Sequence, residues 1–370
     1  MIGSFVGVLG LALLLIVLWD AFETIVLPRR VQRRIRLTRL FYRWTWAFWA
    51  SIGRRVQLSN RRDNFLSYYG PLSLLLLLVV WAVIMVMSFA MMQWGFGVTL
   101  IGPEGPVNFG GALYLSGSTF FTLGIGDITP RTTLGRLLTI AEAGTGIAFL
   151  ALVIGYLPVI YQAFSRREAS ISLLDARAGS PPSAPELLRR HADDDSSDGL
   201  LQFLRDWERW SSELLESHLS YPVLVFYRSQ HDRESWLSAM TMLLDVCALI
   251  LVGIDGTPMR SARLTFAIAR HAAVDLSQIF HTPPRMPSVD RLPPAELARL
   301  RNILAEAGMQ LREGPEADQK LAEIRAKYEP YVSALADYLL VTLPPWIPPS
   351  ESADDWQTSV WEHASTAIIQ

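Results

Sequence analysis

Lysine and cysteine are nearly missing from the 370 residues: Lys320 and Lys327 are the lysines, and Cys247 is the cysteine. A lone cysteine excludes an intrachain disulfide and any cysteine-cluster metal site, and a small buried apolar role is the ordinary one for it. With so little lysine, nearly all positive charge is arginine, which by itself implies no mechanism. After residue 168 there is no Gly-x-Gly-x-x-Gly turn, so a nucleotide-binding regulatory domain of the doubly wound kind is excluded there. Strand-like stretches are scarce in the same half, which argues against a cyclic-nucleotide barrel. No nucleophile-base pair, phosphate loop or metal motif occurs in either half, leaving an enzyme as the least supported class. His218, His231, His271 and His281, with Asp232 and Asp275, share no metal-motif spacing and read as single solvated or core residues.

What the chain does contain is apolar length. Hydrophobic residues make up 51%, enough for a membrane unit plus a soluble domain. The near-neutral total conceals two different halves. Residues 1–167 carry fifteen arginines and six acids, a net of +9, whereas residues 168–370 carry eighteen basic and twenty-nine acidic residues, a net of −11.

The first apolar run, 1–28, is near spanning length, and positive charge follows it instead of preceding it. It lacks the positive start and small-residue cleavage site of a signal peptide, so a retained helix with its amino end outside is expected. Asp20 and Glu23 fall near its inner end, within reach of the arginines that follow. Residues 29–68 interleave arginines from Arg29 to Arg62 with Trp44, Trp46, Phe48 and Trp49. Such a segment stays cytoplasmic and suits a helix in the headgroup layer, touching anionic lipid around 31–50. Its arginine spacing is too irregular and dense for a voltage sensor, and its place between two spans disfavours nucleic acid.

An uncharged run over 69–94 predicts the second span, and 133–161 predicts the third, returning the chain to the cytoplasm at Arg166 and Arg167. Between them, 95–108 reads as an outer loop, and Asn108 reads as the cap of a helix over 109–121 that is too short to cross. A short re-entrant helix followed by non-helical backbone is tolerated at membrane depth only where protein or water surrounds it.

That backbone is Ser118-Thr119-Phe120-Phe121-Thr122-Leu123-Gly124-Ile125-Gly126-Asp127. A cation crossing a bilayer must exchange its hydration shell for fixed oxygens, which successive carbonyls pointing one way can supply. Pointing them so requires alternating backbone signs, which glycine permits at alternate positions, as Gly124 and Gly126 do.

This stretch resembles the selectivity filter of potassium channels, the likeness covering about 69–165 and being most specific over 108–130. The resemblance implies that Thr122, Leu123, Gly124, Ile125 and Gly126 line the ion sites, with Asp127 at the outer rim and potassium as the permeant ion. It also implies a homotetramer, since four loops close one filter. Gly146, twenty residues after Gly126, falls where the family's inner helix often has a gating hinge, and close helix packing is the equal alternative. Pro158 is a further candidate gate element. The chain departs from the family at Ile125, where an aromatic is usual, and at Phe121, where a second threonine is usual. Ser118 stands where some members have a carboxylate, and the aromatic brace of the pore helix is reduced to Tyr114 and Leu115. A looser likeness of residues 19–34 to bacterial channel-like proteins with an extra amino-terminal span suggests a bacterial source and the inner membrane.

Residues 166–198 read as a polar linker, followed by a helical cytoplasmic domain at 199–345 and a tail at 346–370. Helices are expected over about 199–219, 232–253, 260–279, 294–312 and 316–342. The 236–254 stretch is apolar enough to pass for a fourth span, but Asp245 at its middle favours a buried bundle helix. Trp207 and Trp210 share a helix face suited to core or subunit contact, and no regulatory ligand or cofactor can be named. The expectation is thus an all-α membrane protein with three transmembrane helices, a re-entrant pore helix and filter between the second and third, and a helical cytoplasmic domain. Its function would be a potassium-selective channel. The alternatives are a weakly selective or sodium-permeable pore, and a non-conducting receptor or scaffold.

Overall fold

The computed structural model describes residues 2–27, 36–56, 59–192, 198–229, 234–287 and 289–347. Arg29, Arg30, Arg33 and Arg34, the 193–197 run, His231, Asp232 and the tail from 348 lie outside the described residues. The described chain is mostly helical and divides into two units, Met1–Ser51 with Tyr68–Gln162, and Ile52–Ser67 with Ala163–Gln370.

In the first unit, α1 (Ile2–Ala21) closes in a π-helical turn over Phe22–Val26 and lies along α4 (Tyr69–Gly95). In lipid there is no hydrophobic gain in pairing two apolar helices, so close approach of small residues must hold them. A Cβ added to Gly95 would fall 2.3 Å from the Gly7 nitrogen and 2.6 Å from the Gly3 carbonyl oxygen, so here the helices touch backbone to backbone. At its other end α1 is tied by polar bonds. The Asp20 carboxylate accepts from the Thr38 amide (3.1 Å), the Thr38 hydroxyl (2.5 Å) and the Trp81 indole (3.1 Å). It thereby caps the start of α2 (Leu37–Gly53). Among the described residues, Glu23 meets arginine, 3.4 Å from Arg36, and Asp20 takes these neutral donors.

α2 buries Trp46 and Ala50 and leaves Trp44 and Phe48 exposed. Past α4 the expected loop is partly ordered as β1 (Leu100–Gly102) and β2 (Gly105–Pro106). With β3 (Thr129–Pro130) they form an antiparallel sheet in the order β2-β1-β3, Leu100 facing Pro130 and Ile101 facing Thr129. Between β2 and β3 lies α5 (Phe109–Phe120), and after β3 comes α6 (Thr133–Ala178).

At 46 residues, α6 is much longer than the 133–161 span expected, and it continues through Pro158. After Gly155 and Pro158 no further glycine or proline occurs until Gly179, whose φ of +82° ends it. The expected linker at 166–198 is therefore largely helical, as the tail of α6 and then α7 (Ala184–Ala192).

In the second unit, α3 (Ser59–Ser67) and α7 join α8 (Asp198–Ser220), α9 (Trp236–Gly253), α10 (Met259–Phe280), α11 (Pro294–Glu306), α12 (Pro315–Arg325) and α13 (Glu329–Leu339). The single helix expected over 316–342 is two, α12 ending at Arg325 and Pro330 standing in the first turn of α13, where its missing N–H forfeits no helical hydrogen bond. α9 is one of four described helices long and apolar enough to cross a membrane, yet 94% of its apolar window is buried by the chain itself. It packs among α7, α10, α12 and α13. Trp207 and Trp210 are buried with their rings 4.6 Å apart, in the core of this unit.

Burial and the neighbouring Arg167 guanidinium push His218 down to about 3 from its ordinary 6.5. The folded chain therefore binds fewer protons here than the unfolded chain below pH 6.5, and acid favours unfolding. The contribution is complete above pH 6.5 and is lost as pH falls toward 3, on the order of 3 kcal/mol two units down. Thermal melts of the purified chain should show this acid slope, and His218→Phe should flatten it.

Candidate functional site

Asn108 begins α5 as a cap, its side-chain oxygen accepting from the Gly111 amide at 3.2 Å. At 12 residues and a rise of about 1.5 Å each, α5 covers roughly 18 Å, far short of a bilayer core. Its carboxyl end does not stop cleanly. The Ser118 carbonyl receives the amides of both Leu123 (2.7 Å) and Gly124 (3.3 Å), folding the chain back over the helix end.

Beyond that turn the backbone alternates. Thr122, Gly124 and Gly126 have φ of +58°, +58° and +82°, and Leu123 and Ile125 between them do not have positive φ. Glycine adopts this conformation at no steric cost, whereas Thr122 is a β-branched residue held in a strained one. Among the described residues, the carbonyl oxygens of Thr122, Leu123, Gly124, Ile125 and Gly126 accept no hydrogen bond. A row of free carbonyls on exposed backbone is what a dehydrated cation requires. The Leu123 and Ile125 side chains are exposed, as is Phe121.

The loop is held at its carboxyl end. Asp127 accepts from its neighbour's amide at Ile128 (3.0 Å), and its carboxylate lies near the Tyr114 hydroxyl of α5. Ile128 packs on Leu100, Ala112 and Leu115, and β3 then locks to β1. Tyr114 and Leu115 thus both lie against this end of the loop.

α6 holds the other side. A Cβ added to Gly146 would lie 2.0 Å from the Phe120 carbonyl oxygen, so α6 touches the end of α5 at main-chain distance. Pro158 lies farther along the same helix and is exposed. Four residues before Gly146 stands Glu142, fully buried and bonded to Ser116 of α5 and Gln93 of α4 (3.2 Å). Sequence reading passed over these three residues, although a lone acid in an apolar span is itself a signal of a role.

Two helices long and apolar enough to cross a membrane stand on either side of a short helix and an exposed loop of unpaired carbonyls. Residues 73–162 match the family model described as "Ion channel", which supports a pore-loop ion channel family for that segment. The chain is also similar to the "Uncharacterized membrane protein YdjJ" of Bacillus subtilis (strain 168), 23% identical over 267 residues, 72% of this chain and 75% of that protein. No solved structure matches. Residues 73–162 are accordingly similar to an ion channel domain, and the apolar helices with this relative support a membrane protein.

Proposed function

We propose that four copies of this chain form a potassium-selective channel, with ions passing passively along the carbonyls of Thr122, Leu123, Gly124, Ile125 and Gly126. The observation that carries this reading is the alternation of backbone sign at Thr122, Gly124 and Gly126 in a segment whose carbonyls are unpaired. Asp127 forms the rim. A second observation favours the tetramer: Leu137, Ile140, Ile147, Ile154 and Tyr161 expose an apolar seam on α6. With Gly144, Ala151 and Pro158 that seam follows alternating steps of three and four, the pattern by which helices of separate chains pack.

In this reading the amino end of α1 lies outside and the second unit is cytoplasmic, where it assembles or gates the pore, in the inner membrane of a bacterium. α2 rests in the headgroup layer, where exposed Trp44 and Phe48 meet the interface and arginines such as Arg43 attract anionic lipid. Gly146 and Pro158 are the elements of α6 on which gating motion would turn.

Purified protein in liposomes should carry potassium and be blocked by barium. Gly124→Ala should cut that flux at least about tenfold, since an alanine in the left-handed region costs about 1–2 kcal/mol in each subunit and redirects a carbonyl. Flux unchanged by Gly124→Ala would remove the pore from this loop. Exposed Ile125 and Phe121, in place of a braced aromatic and a threonine, favour a second reading, a weakly selective or sodium-permeable pore. Reversal potentials in mixed sodium and potassium distinguish the two.

A further inference from the structure

The hydrogen inventory behind the pore loop fixes the state of a buried acid. Gln93 on α4, Ser116 on α5 and Glu142 on α6 are fully buried and meet at one point. The Ser116 hydroxyl oxygen lies 2.7 Å from the Val86 carbonyl oxygen and is also within hydrogen-bonding distance of Glu142 Oε1. Gln93 donates to Glu142 Oε2 at 3.2 Å.

A hydroxyl has one proton, and a carbonyl oxygen can only accept. If Ser116 gave its proton to Glu142, the Val86 and Ser116 oxygens would face each other at 2.7 Å with no hydrogen between them. Ser116 therefore donates to Val86, and the contact with Glu142 needs a proton from Glu142. A carboxylate has none to give. Nor does anything else favour the charge: among the described residues no arginine, lysine or histidine pairs with Glu142, and an isolated ion in an apolar interior is costly.

We propose that Glu142 is held as the neutral acid and that its proton, donated to Ser116, is the tie that positions α5 against α6. Resting on the pore reading above, the proposal makes Glu142 a positioning residue of the filter. Ser116 lies two residues before Ser118, whose carbonyl anchors the filter turn through Leu123 and Gly124. Glu142 lies one turn before Gly146, so α6 grips α5 at two places on one face, once by a hydrogen bond and once by backbone contact.

The test uses full-length protein in liposomes at neutral pH with two readouts. Infrared spectra of wild-type protein should contain the carbonyl stretch of a protonated carboxyl that Glu142→Gln lacks, and Ser116→Ala should displace that band. In flux, Glu142→Gln supplies a neutral donor and should keep the wild-type preference between potassium and sodium. Glu142→Ala should weaken that preference by about tenfold, the loss of one buried hydrogen-bonded tie. Absence of the acid band, a band unmoved in Ser116→Ala, or Glu142→Gln as impaired as Glu142→Ala each overturns the proposal. Wild-type protein that carries no ions would bring down the pore reading, while the infrared band still decides the protonation of Glu142.

Discussion

A Gly146→Ala chain is expected to reach the membrane but to carry no measurable potassium. The added carbon would lie 2.0 Å from the Phe120 carbonyl oxygen, 2.9 Å from its carbonyl carbon and 3.1 Å from its Cα. All three are main-chain atoms, which cannot swing aside as the tip of a side chain could. α5 and α6 must separate by roughly an ångström, a misfit costing about 1–3 kcal/mol or more in each chain. Phe120 is two residues before Thr122, so the displacement falls on the first carbonyl of the row. Gly155→Ala on the same helix meets nothing within 4 Å and should conduct as wild type does. Liposome flux beside size-exclusion chromatography separates the two readings of Gly146. A pure hinge leaves assembly intact and alters opening alone, whereas a packing contact also disturbs assembly. Wild-type flux from Gly146→Ala would refute the contact as the determinant.

The second large effect is expected in the other unit. Arg291 clamps Asp245 at 2.7 and 3.3 Å, reaches Glu329 at 3.2 Å and the Pro344 carbonyl at 2.8 Å, and lies over the Trp346 ring. Asp245 also accepts from the Tyr328 hydroxyl, in the middle of α9, nearly all of whose residues are buried. Arg291→Met removes the cation and leaves a buried carboxylate without its counter-ion, a change that typically costs about 3–5 kcal/mol. For a unit of this size that lowers the melting midpoint by roughly 10 °C. Adding Asp245→Leu should recover much of the loss, because a buried pair replaced by apolar side chains is often nearly neutral. If Arg291→Met melts with wild-type protein, the pair is not what anchors α9.

How far the sequence could be read depended on whether each feature was local. Uninterrupted apolar runs marked α1 and α4, and Asn108 with the shortness of the following run marked α5, because each signal lies within one element. The loop was legible from its glycines, yet the positive φ of Thr122 was not, since threonine disfavours that conformation and only the turn over Ser118 imposes it. The sheet was invisible because strands of two and three residues have no period to detect. The true end of α6 could have been read from the lack of any glycine after Gly155 until Gly179, but the arginines at 166 and 167 looked like a boundary. Glu142 stood out only as a lone acid. Its partners lie 26 and 49 residues away, and no spacing rule joins them.

The fastening of α1 also bears on how the chain is made. Asp20 bonds to Thr38 and to Trp81, which are 18 and 61 residues downstream, so the first bond can close while the second partner is still unsynthesised. Until α4 enters the bilayer, α1 sits there with bare glycine backbone at one end and an acid lacking its indole at the other. Pairing with α4 thus follows the tie to α2 and can be complete before the pore loop has left the ribosome.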